Sequence, residues 1–173
     1  MKKLILLAAA IAAHAACAWT VEKHIDEMTD ARTYIIWTTG TVVQVNSLVS
    51  YVPQLQFRIR PVTWYAMLNQ LKFSCEAAFA IETEGFTRNG VPVMLRLDDE
   101  KPYSETWNPS TDRRVAFSPT PQPFLALARE KKMLRIRYGT TLGDIRTTRF
   151  ELAGLDGAIA ELKRQVAKDP PKD

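Results

Sequence analysis

Apolar and polar residues alternate in short bursts through the middle of this chain, most clearly between Gly90 and Phe117. Val93, Leu95 and Leu97 alternate with Met94, Arg96 and Asp98, the period of two expected of a strand with one buried face. Asp98-Asp99-Glu100-Lys101-Pro102 interrupts the pattern with turn residues. Tyr103, Glu105 and Trp107 resume it, and Asn108-Pro109-Ser110-Thr111-Asp112 turns the chain again before Val115-Ala116-Phe117. Three short strands joined by tight turns predict an antiparallel meander at the centre of the fold.

The flanking sequence extends this picture. Trp19–Lys23, Arg32–Thr39, Thr41–Val45, Leu48–Val52 and Leu55–Ile59 read as strands, being rich in β-branched or aromatic residues or alternating in polarity. Val62–Gln70 suits helix or strand. Leu71, Phe73 and Cys75 alternate again, and Arg88-Asn89-Gly90 is a hairpin-type turn, pairing residues 73–84 with 91–98. The proline run from Ser118 to Pro123 excludes regular structure and leads into a short helix near 124–130. Met133–Tyr138 and Arg146–Leu152 return to strand alternation. Leu155, Ile159, Leu162 and Val166 form one helical stripe, and Lys163, Arg164 and Lys168 sit towards its C-terminal end, where cations suit the helix dipole. The expected fold class is mainly β (α+β): an antiparallel β-sandwich or curled sheet, a short helix near 124–130 and a C-terminal helix over 155–167.

The first eighteen residues belong to a different pattern. Lys2 and Lys3 precede an apolar run from Leu4 to Ala13, too short to span a bilayer, and Ala16-Cys17-Ala18 is an A-x-A cleavage site. We therefore expect a signal peptide over 1–18, one β-rich domain over 19–167 and a disordered tail over 168–173. The location expected is periplasmic or secreted, with membrane anchoring only if Cys17 is lipidated. The 173-residue chain carries 23 Lys and Arg against 19 Asp and Glu, a net charge of +4. Loss of Lys2 and Lys3 leaves 21 bases against 19 acids, or +2. No basic run interleaved with aromatics remains, so nucleic acid is not an expected partner.

Catalytic chemistry finds little to work with. Past residue 18 the chain has one histidine, His24, and one cysteine, Cys75. A serine or cysteine nucleophile needs a nearby base, and a structural zinc site needs four N/S ligands. The glycines are scattered, so no phosphate loop forms. Asp98, Asp99, Glu100 and Glu105 crowd one hairpin, and Asp26, Glu27 and Asp30 crowd one loop, but their spacing matches neither a calcium loop nor a glycosidase pair. No catalytic residue, metal or cofactor is expected. Arg96 and Asp98, with Arg135 and Arg137, are placed for cross-strand ion pairs. Trp107 is a core residue or an exposed recognition residue. Arg96, Asp98 and Trp107 are thus the candidate binding residues.

In this order along the chain, the residues resemble the TagO/VasI family, exported accessory proteins of bacterial type VI secretion clusters with prophage relatives. Trp19 and Met28-Thr29-Asp30, Leu71 to Cys75, and Val93-Met94-Leu95-Arg96-Leu97-Asp98 (similar to "V-x-x-R-x-D") carry the resemblance. So do Trp107 with Ser110-Thr111, Leu134 to Arg137, and Thr148 to Leu155 (similar to "T-x-F-x-L-x-G-L"). The chain departs from it at Gln165 and Val166, where the family's closing helix carries a cysteine, so the family's disulfide to Cys75 is not available. The resemblance implies a non-enzymatic accessory role in the cell envelope, with envelope or secretion-apparatus proteins as partners. The alternatives are a small envelope hydrolase using the turn carboxylates, a prophage-type envelope protein, or a ligand-binding β-barrel-like module.

Overall fold

The computed structural model describes residues 19–25, 31–44, 52–60, 63–69, 90–140 and 144–170. Strands β1 (Thr20–Ile25), β2 (Arg32–Thr39), β3 (Thr41–Gln44), β4 (Gln54–Arg60) and β5 (Thr63–Asn69) come first, then β6 (Val91–Leu97), β7 (Tyr103–Pro109) and β8 (Val115–Phe117). Helix α1 (Pro121–Arg129) precedes β9 (Met133–Gly139) and β10 (Ile145–Glu151), and helix α2 (Leu155–Lys168) closes the fold. The signal segment, Cys17, Cys75, the Asp26–Asp30 acids and the strand expected over 71–84 lie outside the described residues, as does most of the one expected at 48–52.

All ten strands join one antiparallel sheet in the order β1-β2-β4-β5-β8-β7-β6-β9-β10-β3. Its ladder does not close, but the chain turns it back on itself at two corners. In β7, residues 103–107 pair with β6, while Asn108 and Pro109 pair with β8. At the other corner β2 pairs with β4, and after Gly40 alone the same run of chain, now β3, pairs with β10. The Gly40 N–H donates to the Pro53 carbonyl at 2.8 Å. A Cβ at this position would stand 2.3 Å from Thr148 Cγ2 and 2.5 Å from Phe150 Cε1, so only glycine lets the two parts approach. The corners divide the sheet into a first leaf, β1-β2-β4-β5-β8, and a second, β6-β9-β10-β3.

One contiguous core fills the fold. Tyr34, Ile36, Leu55, Phe57 and Leu68 enter from the first leaf; Val91, Val93, Leu95, Leu97, Leu134, Ile136, Tyr138 and Phe150 enter from the second. Helix α1 lies against β5, and α2 against β1 and β2. Phe124 of α1 meets Phe57 at 5.9 Å and Trp107 edge-on at 5.6 Å, tying helix, first leaf and corner strand together. The stripe expected on α2 is the one it buries: Leu155, Ile159 and Leu162 are in the core and Val166 packs beside it.

The expected mainly β fold with a short and a C-terminal helix is the one observed, in its curled-sheet form. Three details differ. Helix α1 starts at Pro121, inside the proline run, because a helix's first turn has no intrahelical use for its N–H groups. The ladders observed on β6 are with β7 along Val91–Leu95 and with β9 along Val93–Leu97, whereas the pairing expected of it was with residues 73–84, which lie outside the described residues. The first residues of the tail expected over 168–173 are held in the fold. Lys168 ends α2, Asp169 pairs with Lys23 and, at 2.6 Å, with Arg32, and its carbonyl accepts from the Tyr34 hydroxyl.

Candidate functional site

Period-two alternation on β6, β9 and β10 sends Val93, Leu95, Leu97, Leu134, Ile136, Tyr138 and Phe150 inward and leaves Met94, Arg96, Arg135, Arg137, Thr147 and Arg149 on the outer face. Register then decides what these residues meet. Arg96 stands directly opposite Arg135, and Arg135 directly opposite Arg149. Three arginines thus cross three adjacent strands in one row, with strands about 4.8 Å apart. The neighbouring row is Met94, Arg137 and Thr147. The expected cross-strand ion pairs between Arg96 or Asp98 and Arg135 or Arg137 do not form, because like charges face one another instead. Like charges directly opposite in a sheet are destabilising.

Hydrogen bonds fix one arginine in each of the two rows. Arg135 Nη1 donates to the Asp98 carbonyl at 2.6 Å, and Arg137 Nε to Thr147 Oγ1 at 3.1 Å. Arg96 reaches the exposed carboxylate of Asp99 at 3.8 Å, a loose surface pair. Among the described residues, no carboxylate pairs with Arg135, Arg137 or Arg149. The inward arginine of β10 behaves differently: Arg146 is 1 % exposed and has Asp144 at 3.5 Å. Met94, Arg96, Pro102, Arg135, Arg137 and Thr147 line a shallow groove of about 150 Å³ on this outer face. Pockets for drug-sized ligands run to about 300–1,000 Å³, so the groove suits one anionic group carried by something larger. Guanidinium forks match carboxylate and phosphate oxygens, so the chemistry on offer is anion recognition.

Of the three candidate residues, only Arg96 belongs to the groove. Asp98 is a structural pin: its Oδ1 accepts the Lys132 and Met133 N–H groups at 3.0 and 2.9 Å from a backbone with φ of 46°. Through its carbonyl it also fixes Arg135. Trp107 is fully buried against Phe124, and its indole N–H donates to Glu105 Oε2 at 2.8 Å. That burial corrects the exposed-recognition alternative for Trp107 and leaves it a core residue.

The hairpin carboxylates go to separate partners. Glu105 bonds Trp107, Glu100 bonds Lys131, Asp98 bonds backbone, and Asp99 faces solvent. The Lys131 ammonium is held above its ordinary pKa, chiefly by its hydrogen bond to Glu100. Among the described residues no cluster of His, Cys, Asp and Glu is suited to a metal ion. His24 lies exposed on β1. The role of Arg149 escaped the sequence reading, since it depends on β9 lying between β6 and β10, which alternation along single strands does not reveal.

The fold and this face together define a β-rich α+β chain with an arginine-bearing sheet surface. No family model and no curated protein matches the sequence. Among solved structures, the fold is similar to invasion associated protein B from Bartonella henselae, with a TM-score of 0.51 and 14 % identity. The match covers 85 % of this chain and 92 % of that one. At that identity the likeness is one of fold.

Proposed function

We propose that this chain is an exported accessory protein of the cell envelope, working by binding rather than bond-breaking, and that it holds an anionic partner against the arginine face of its second leaf. The observation that carries this reading is the row Arg96–Arg135–Arg149, a like-charge alignment that costs stability in the free protein and is relieved by an anion. The basic start, apolar run and A-x-A site of residues 1–18 support export. The resemblance to TagO/VasI supports an accessory role, in type VI secretion or in a prophage setting; a fold shared with a protein described as invasion associated is compatible with an exported role. The dispersal of Asp98, Asp99, Glu100 and Glu105 to separate partners favours binding over hydrolysis.

Expression of the full chain in a bacterium, followed by fractionation and mass spectrometry, tests export: recovery from the periplasm with Trp19 as first residue is expected. The recovered protein should sediment with isolated envelopes, be released by salt as exposed charges are screened, and lose this behaviour in an Arg135→Glu/Arg137→Glu variant. Recovery in the cytoplasm, or sedimentation indifferent to salt and to charge reversal, overturns the reading.

A further inference from the structure

Charge is not the only thing ordered on this face. Successive outward rows on one side of a strand lie about 7 Å apart, two residues at about 3.4 Å each. At one end are Asp98 and Glu151, the latter opposite Met133. Next comes the arginine row, then Met94, Arg137 and Thr147, and beyond them Ile145 opposite Gly139. Ile145 is 65 % exposed, Met94 40 %, and Val43, at the β3–β10 irregularity beside Thr147, 60 %. These are three of the six large apolar side chains exposed among the described residues. The outer surface of the second leaf therefore runs from acids, through arginines, to bare aliphatic side chains.

We infer that this face docks onto an anionic lipid bilayer, with the arginines on headgroup phosphates and Ile145, Val43 and Met94 entering the headgroup boundary. The inference rests on the binding reading above and names its partner. Charge complementarity selects the occupant: the arginines match a layer of phosphates, while Asp98 and Glu151 sit at the end pointing away from it. The small groove takes a headgroup phosphate, and apolar residues beyond the cations are the arrangement used by proteins that lie in the interface plane. An acidic protein partner would match the arginines but gives no reason for the aliphatic end. No helix among the described residues is long and apolar enough to cross a membrane, so attachment by this face is peripheral.

Co-sedimentation of the processed protein, beginning at Trp19, with phosphatidylcholine vesicles, with and without phosphatidylglycerol, tests this. Binding is expected only with phosphatidylglycerol and should weaken as salt rises. Each near-surface arginine is worth roughly a fivefold change in affinity, so Arg135→Gln/Arg149→Gln should lose about 25-fold. Ile145→Asp, on a side chain too exposed to carry the fold, should lose about tenfold. Circular dichroism of each variant checks folding; the lipid and salt dependence of the unaltered chain stands without the variants. Inorganic phosphate at matched ionic strength should compete no better than chloride, whereas stronger competition assigns the groove to free phosphate. Equal binding to both vesicle types, or no binding to either alongside capture of polyglutamate, overturns the lipid assignment. If vesicles fail while envelope sedimentation still depends on the arginines, the binding reading stands and the lipid is removed from it.

Discussion

Replacing Asp98 by alanine removes two hydrogen bonds and strains one residue. The lost bonds are those from Lys132 and Met133 at 3.0 and 2.9 Å, each worth about 0.5–1.5 kcal/mol net. The φ of 46° is a left-handed conformation that aspartate tolerates and alanine adopts at a cost of about 1 kcal/mol. Because the Lys132 N–H is near solvent and water can replace its partner, the total falls to about 2 kcal/mol rather than the full sum. For a chain of this length that lowers Tm by about 4–8 °C. Asp98→Asn keeps an acceptor oxygen and the tolerance of positive φ, so it should cost under about 1 kcal/mol. Thermal melts of both variants by circular dichroism make the comparison. An asparagine variant as damaged as the alanine one would show that the charge, not the acceptor, matters, and would refute the pin.

Gly90 and Gly157 should respond to alanine in opposite directions. At Gly90, φ is +76° and a Cβ would stand 2.6 Å from the Trp107 carbonyl oxygen, so a loss of more than about 2 kcal/mol is expected; Gly157 is helical with open space around it and should gain about 0.5–1 kcal/mol in urea titration. Arg96→Gln relieves the repulsion facing Arg135 and gives up a loose pair with the Asp99 carboxylate and a long 3.4 Å hydrogen bond to the Asp99 carbonyl. Its stability should be unchanged or higher by up to about 0.5 kcal/mol, and a clear loss in the same titration would remove the claim that this row is strained. Burial, followed by the charges of Glu105 and Glu100, raises the Tyr103 pKa above its ordinary 10.0. The folded state thus retains the phenol proton more strongly, so this contribution is complete below about pH 10 and fades as pH rises through the folded value. Tyr103→Phe should flatten the alkaline decline in urea midpoint, and an identical slope would contradict the assignment.

Much of the architecture was legible because single strands advertise themselves. The run RTYIIWTT between Ala31 and Gly40 occupies β2 with its expected limits, and the β6–β7–β8 meander follows from alternation and turn residues. Thr63–Asn69 was ambiguous, since Trp64, Leu68 and nearby apolar residues fit a helical stripe as well as a strand; pairing with β4 and β8 decides it. The candidate site was half visible. That Arg96, Arg135 and Arg137 point outward follows from period two. That Arg96 faces Arg135 follows from register, which joins segments about forty residues apart and leaves no mark in either. Trp107 shows the same gap: its burial is set by Phe124, an aromatic from a helix beyond two turns.

The corner at Gly40 has a consequence for how the chain acquires its shape. Residues 41–44 are made early, yet their ladder partner Thr147–Arg149 arrives more than a hundred residues later. During synthesis from the N-terminus, β3 therefore waits as an unsatisfied strand until nearly the whole polypeptide has emerged. A growing chain with such a strand is open to pairing with its neighbours, and truncation anywhere before β10 leaves that invitation permanent.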